Sequence, residues 1–415
     1  MSRRSGFLAA LVALVVLAAT VAGSTLGSGK QKHAASAASG TVVLSGWTAN
    51  PDELKLLKAV IRGFEKTYPK IKVDYQPITG DYVPAMLAKF SARKPPDVFY
   101  IDSNVFLDWV TQGLLEPLNS YAAKSKFSSK PFYASLLNGF KYKGKIYGYP
   151  KDWSPLAMEV NTALAAKAGV VPSRIKTWAD LTAAAKKLQP VMGSGAKAIC
   201  LNPSWDRALA FVYQNGGSFL NATKTKSTIN SPAAAAAMNY YVGLIKQGLA
   251  DIPAKLSVGW CGEALGKEKA AIIFEGNWLF PFMQSTFPDV KFSTQQMLMR
   301  KKHGNLGFTV SYSMAKDAAN KPAAWQLIRY LVGRSGMKTW TSKGLALPSR
   351  SDVKPVAGRA PFLRDAPAAH PWQFAPKFSS VIDTANNELS AVIEGKQTVA
   401  GMLKKIQDTA NDALG

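Results

Sequence analysis

The stretch Lys269-Ala270-Ala271-Ile272-Ile273-Phe274-Glu275-Gly276-Asn277-Trp278 decides how this chain is read. A short apolar run with adjacent β-branched residues has the signature of a buried strand. A carboxylate, a glycine, an amide and an indole follow at once, just past the strand. Similar combinations recur along the chain. Trp47 follows Leu44-Ser45-Gly46, and Tyr100 and Asp102 end Val98-Phe99-Tyr100-Ile101-Asp102. Asp152-Trp153 follows Tyr149-Pro150, and Asp206 adjoins Trp205 in Asn202-Pro203-Ser204-Trp205-Asp206. In open α/β sheets the ligand crevice lies outside the carboxyl ends of the strands. An aromatic face beside a carboxylate or amide suits a sugar: the ring packs on the axial C–H face, and the polar group exchanges hydrogen bonds with hydroxyls. Trp109, Trp325 and Trp340 fall within helical patterns and are assigned to packing.

Around these strand ends, strand and helix signals alternate. Residues 41–45, 71–75 and 97–101 read as strands; the character changes around 147–150, and a second alternating region begins at 156–160, with a further strand at 198–201. Leu54, Leu57, Ile61 and Phe64 make one apolar stripe opposite Lys55, Lys58, Arg62 and Lys66, the pattern of an amphipathic helix. Asn50-Pro51 opens it, with proline at an early helical position. Thr177 caps a helix starting at Trp178, and Thr398 caps a closing helix striped by Val399, Met402, Leu403, Ile406 and Ala410. The βαβ pattern predicts a mainly parallel sheet covered on both faces.

The chain has 415 residues, 47% hydrophobic and 19% charged. That composition excludes a collagen, a disordered tail and a polytopic membrane protein. Roughly 100–200 residues per domain predicts two domains or three. Arg3-Arg4, the apolar run 7–19 and the small-residue stretch 34–39 read as an export signal over residues 1–38; a retained N-terminal anchor is the alternative. Sec and twin-arginine routes both remain open. The segment has no cysteine for a lipid anchor. The formal charge is +25, and losing Arg3, Arg4, Lys30 and Lys32 with the signal leaves +21. No basic run interleaved with aromatics is present, so no nucleic-acid partner is expected. His303 and His370 lack a second His or a Cys at ligand spacing, and there is no nucleophile elbow or phosphate-binding loop. No metal and no cofactor is expected. A separated pair of catalytic carboxylates stays open. Cys200 and Cys261 are the only cysteines, which in an exported chain predicts a disulfide.

Further markers sit in fixed order. They include Gly63-Phe64-Glu65-Lys66-Thr67-Tyr68-Pro69, Pro95-Pro96-Asp97-Val98-Phe99, Gly113-Leu114-Leu115-Glu116-Pro117-Leu118 and Gly144-Lys145-Ile146-Tyr147-Gly148-Tyr149-Pro150. Thr177-Trp178-Ala179-Asp180-Leu181, Gly216-Gly217-Ser218-Phe219, the stretch 269–278 and Gly395-Lys396-Gln397-Thr398-Val399 follow. From about residue 41 to its end, the chain resembles the extracellular solute-binding proteins of bacterial ABC sugar importers, the family that includes maltose-binding protein. The resemblance implies a non-enzymatic α/β protein with a two-lobed, type II periplasmic-binding-protein-like fold. Its ligand cleft would lie between lobes joined by a three-crossing hinge, near Trp153, Arg300 and Arg334. The first lobe would hold 41–152 and 300–333, the second 153–299 and 334–415. The resemblance carries ligand contacts onto Gly46, Trp47, Tyr100, Asp102, Asp152, Trp153, Trp205, Asp206 and Trp278, with Glu275 and Asn277 flanking; Tyr312 and Arg350 are further candidates. It implies a carbohydrate ligand, importer membrane permease subunits as partners, a monomer, and a periplasmic or extracellular cell-surface location. Two features depart from the pattern: the missing lipoprotein cysteine, and a basic run at 300–303 where relatives tend to carry a glycine-rich turn. Rival readings are another cargo (a polyol, glycerol phosphate or polyamine), a secreted glycoside hydrolase using two of Asp102, Asp152, Asp206 and Glu275, and a cell-wall adhesion module.

Overall fold

The structure is a computed structural model that describes residues 38–47 and 51–415. The export-signal expectation and Asn50 lie outside these residues.

Two sheets organise the chain. The first contains β1 (Gly40–Gly46), β2 (Ile71–Pro77) and β3 (Val98–Asp102), with β1 parallel to both others. A small hairpin of β4 (Lys141–Tyr142) and β5 (Lys145–Ile146) precedes β6 (Gly148–Pro155). The second sheet takes β7 (Ala157–Asn161), β8 (Lys197–Cys200), β9 (Ala250–Asp251), β10 (Ala270–Glu275) and β11 (Phe292–Gln295), in the order β11-β7-β10-β8-β9. The chain then returns through β12 (Asn305–Met314), and β13 (Ala369–Pro371) completes the first sheet in the order β13-β12-β3-β1-β2, with β6 also on β12.

Both sheets are mixed, where the sequence predicts a mainly parallel one. The crossing strands cause the difference: β12 runs against β3 and β6, and β7 runs against β10 and β11. Each sheet has its own core. Val42, Leu44, Phe64, Phe99, Trp109 and Trp325 belong to the first; Val160, Ile199, Phe211, Ile272, Leu403 and Ile406 belong to the second. The helix Pro51–Thr67 buries Leu57, Ile61 and Phe64, while Lys55, Lys58, Arg62 and Lys66 stay exposed. Each fully buried aliphatic side chain contributes about 1.5–3 kcal/mol, which fixes the helix more firmly than its propensity does. Thr177 and Asp180 form a reciprocal capping box, and Thr398 accepts the Gly401 amide at 3.0 Å.

The segment after Arg334 divides its packing between the two cores. The helix Arg334–Trp340 packs against Pro51–Thr67, and Trp340 and Leu345 join the first core. Trp372 and the residues beyond it join the second. Between them Leu347 and Phe362 pack with Trp153 and Ala157 in a small cluster of their own. A disulfide joins Cys200, at the end of β8, to Cys261, at the start of the helix Cys261–Gly266, across a sequence separation of 61.

Candidate functional site

The strand pair β6–β12 carries the chain between lobes and builds the floor of a cleft. Val310 lies opposite Asp152, but Ser311 lies opposite Pro150, so Lys151 is an extra residue in the ladder. Such a bulge bends the strand and re-aims its side chains. Here Lys151 and Asp152 both line a cavity of about 280 Å³. Trp47, Glu53 and Asp102 face it from the first lobe; Asp206, Arg207 and Trp278 face it from the second. Trp153, Thr309 and Trp340 come from the crossing strands and the segment that follows.

The two cations of the cleft, Lys151 and Arg207, are paired with carboxylates. Asp152 Oδ2 accepts from Lys151 Nζ at 2.6 Å and from the Trp340 indole at 2.7 Å. The Lys151 ammonium lies 3.9 Å from the Trp340 ring centroid, a cation–π contact strengthened by desolvation. On the other wall Arg207 bridges Asp206 at 2.9 Å and Glu275 at 2.6 Å. Burial alone would lower the Arg207 pKa, but the two carboxylates outweigh it and hold the guanidinium more firmly charged than usual. Behind it, the Glu159 carboxyl accepts the Glu275 amide at 3.1 Å. Complete burial, and then the charge of Glu275, push the Glu159 carboxyl well above the carboxylate range. Asp102 caps the helix Ser103–Thr111 by accepting from the Asn104 amide at 3.4 Å. Burial pushes its carboxyl up to about 6, with a smaller contribution from the charge of Asp152.

The aromatic walls are positioned by their neighbours. Trp47 sits edge-on to Tyr82 and Tyr100, with ring centroids 4.9 and 5.2 Å apart. Gly46 permits this: a Cβ there would meet the Tyr100 ring at 2.6 Å. The Trp153 indole donates to the Pro348 carbonyl at 3.1 Å, and the Trp278 indole to Glu275 Oε2 at 2.9 Å.

Of the residues singled out by sequence, Trp47, Asp102, Asp152, Trp153, Asp206 and Trp278 line the cavity. Gly46, Tyr100 and Tyr312 lie beneath it, buried, with the two tyrosine rings 5.3 Å apart. Glu275 and Asn277 are buried behind the wall; the Asn277 amide donates to Ser154 Oγ at 2.9 Å and ties the second lobe to the crossing strand. Trp205 and Arg350 are placed elsewhere. Trp205 opens the helix Trp205–Gln214, is fully buried in the second core and donates to the Ala385 carbonyl at 2.9 Å. Arg350 directs its fork onto Asp352 at 2.8 and 2.7 Å and lies over the Phe132 ring. Lys151, Arg207 and Trp340 line the cleft without having been singled out. Their only sequence signals were the neighbouring Asp152 and Asp206 for the two cations; the helical spacing of Trp340 suggested packing.

The arrangement brings indole rings together with carboxylates and hydroxyls around one cavity. The sequence profile of bacterial extracellular solute-binding proteins matches residues 48–338. A putative binding protein of Brucella abortus is 24% identical over 86% of this chain and 89% of its own length. The arabinooligosaccharide-binding protein of Bacillus subtilis is 24% identical over 50% of this chain and 48% of its own. An ABC substrate-binding protein of Listeria monocytogenes, solved in complex with cycloalternan, superposes with a TM-score of 0.83 at 26% identity, covering 90% of this chain and 99% of that one. The acarbose-binding receptor of Streptomyces glaucescens superposes at 0.79 with 22% identity, covering 91% and 98%.

Proposed function

The chain belongs to the family of bacterial extracellular solute-binding proteins, and we propose that its cleft binds a mono- or oligosaccharide and delivers it to the membrane permease subunits of an ABC importer. In this reading residues 1–38 direct export, and the lobes, about 41–152 with 300–345 and 153–299 with 372–415, close on the ligand without chemical turnover. One observation carries the sugar assignment: Trp47, Trp278, Trp153 and Trp340 meet Asp102, Asp152 and Asp206 in a single cavity. Indole faces take the C–H side of a pyranose while carboxylates take its hydroxyls. A phosphorylated cargo is disfavoured by the same geometry. Lys151 and Arg207, the cations lining the cavity among the described residues, are already bound to carboxylates.

The test is a thermal-shift screen against mono-, di- and trisaccharides. At a thousandfold excess over Kd, ligand stabilises by about 4 kcal/mol and raises Tm by roughly 8–16 °C. A flat panel, or release of new reducing ends from an oligosaccharide, overturns the reading.

A further inference from the structure

Outside the cleft, one groove holds a buried cation that the sugar site does not use. The groove measures about 340 Å³ and is lined by Phe280, Phe287 and Phe292 together with Lys291, Lys343 and Arg359. Its walls are the helix Leu279–Thr286 with β11, and the segment 343–359. Arg359 is only 7% exposed. Its guanidinium lies 3.4 Å from the Phe280 ring centroid. Nε and Nη2 donate to the Gly344 carbonyl at 3.4 and 3.2 Å. Burial pushes the group down to about 10 with no carboxylate opposing the shift.

That pattern is unusual. An arginine this buried is ordinarily paired with a carboxylate, whereas Arg359 is held by a carbonyl and an aromatic ring. Closing the turn after the helix Arg334–Trp340 through Gly344 engages one edge of the guanidinium and leaves most of its donors unused. Lys343 and Lys291 add two exposed cations at the rim, and among the described residues no acid lines the groove.

We propose that this groove is a second ligand site, for an oxyanion (phosphate or carboxylate) carried on a small apolar body. The Arg359 fork would take two oxygens of the anion, a geometry that a lysine cannot supply. The lysines add charge, and the phenylalanine rings cover the apolar body. The site shares no lining residue with the sugar cleft, yet its backbone adjoins both cleft walls: the helix Leu279–Thr286 begins directly after Trp278, and Gly344 precedes Leu345 and Ala346.

The full chain is titrated with phenyl phosphate, benzoate and inorganic phosphate by calorimetry, with no sugar present. Saturable one-site binding of phenyl phosphate or benzoate supports the proposal, with inorganic phosphate at least about tenfold weaker because it lacks the apolar part. Lys343→Glu and Lys291→Glu change exposed side chains and keep the fold; each weakens binding by about tenfold. Arg359→Gln abolishes it. Lys404→Glu, on a remote exposed helix face, leaves it unchanged. Hydrogen exchange slows at 279–292 and 341–360. The proposal is overturned by no saturable binding, by Lys343→Glu behaving as wild type, or by Lys404→Glu weakening binding equally, which would show general attraction to a basic surface.

Discussion

Arg207 Nη2 donates to Glu275 Oε2 at 2.6 Å, and that same oxygen accepts the Trp278 indole at 2.9 Å. The ion pair therefore also fixes an aromatic wall of the cleft. The guanidinium lies 5.2 Å from the Trp278 ring centroid, so charge pairing and ring orientation are one assembly.

Removing the acid leaves a buried cation with one partner fewer and an indole without its acceptor. Glu275→Ala is expected to cost about 3–5 kcal/mol, read as a fall in Tm, because it breaks a buried pair from one side.

Trp340 and Trp278 wall the cleft with large aromatic faces. Either one replaced by alanine is expected to weaken sugar binding by about 2 kcal/mol or more, as truncated aromatic anchors do. Trp109→Ala, in the first core, is expected to lower Tm without changing the affinity of the folded fraction. Calorimetric titration of the three variants makes the comparison.

Asp102 gives a pH signature. Its carboxyl is raised in the folded chain from 3.8 to about 6. The folded state thus holds the proton where the unfolded state has released it, so stability falls as pH rises between these values. Above the upper one the cost is complete, about 1–3 kcal/mol. Asp102→Asn lacks this group. Chemical denaturation at a series of pH values should therefore show wild type losing stability relative to the variant from about pH 4 to about pH 6.

The disulfide closes a loop with a sequence separation of 61. Replacing both cysteines by serine is expected to cost about 4 kcal/mol on the chain-entropy account. Denaturant midpoints of the oxidised chain and the double variant test the figure.

The strands were legible because a buried sheet writes its alternation and its aliphatic runs directly into sequence: 270–274 lies within β10 and 98–101 within β3, with Asp97 just before it. The cleft was legible wherever a side chain simply follows a strand, as Trp47, Asp102 and Trp278 do. Lys151 was not, because only the register slip against β12 turns it inward, and a bulge leaves no trace in composition. The placement of Trp205 has a related reason. It follows a strand but opens a helix, and the start of that helix turns its ring into the second core. Trp340 has helical spacing and core contacts, yet its indole nitrogen reaches Asp152. Which edge of a helical aromatic meets a cleft depends on how its helix packs, a tertiary fact.

Cys200 ends β8 of the second sheet, and Cys261 opens the helix Cys261–Gly266, which packs on β10 of the same sheet. The bridge is therefore off the axis about which the lobes would turn. With the lobes proposed above, oxidation would stiffen the jaw that carries Asp206 and Trp278 and leave it free to swing. A reducing environment would loosen the grip without locking or releasing the movement, so this protein's redox state would tune how tightly it holds cargo and leave its ability to capture and hand over cargo intact.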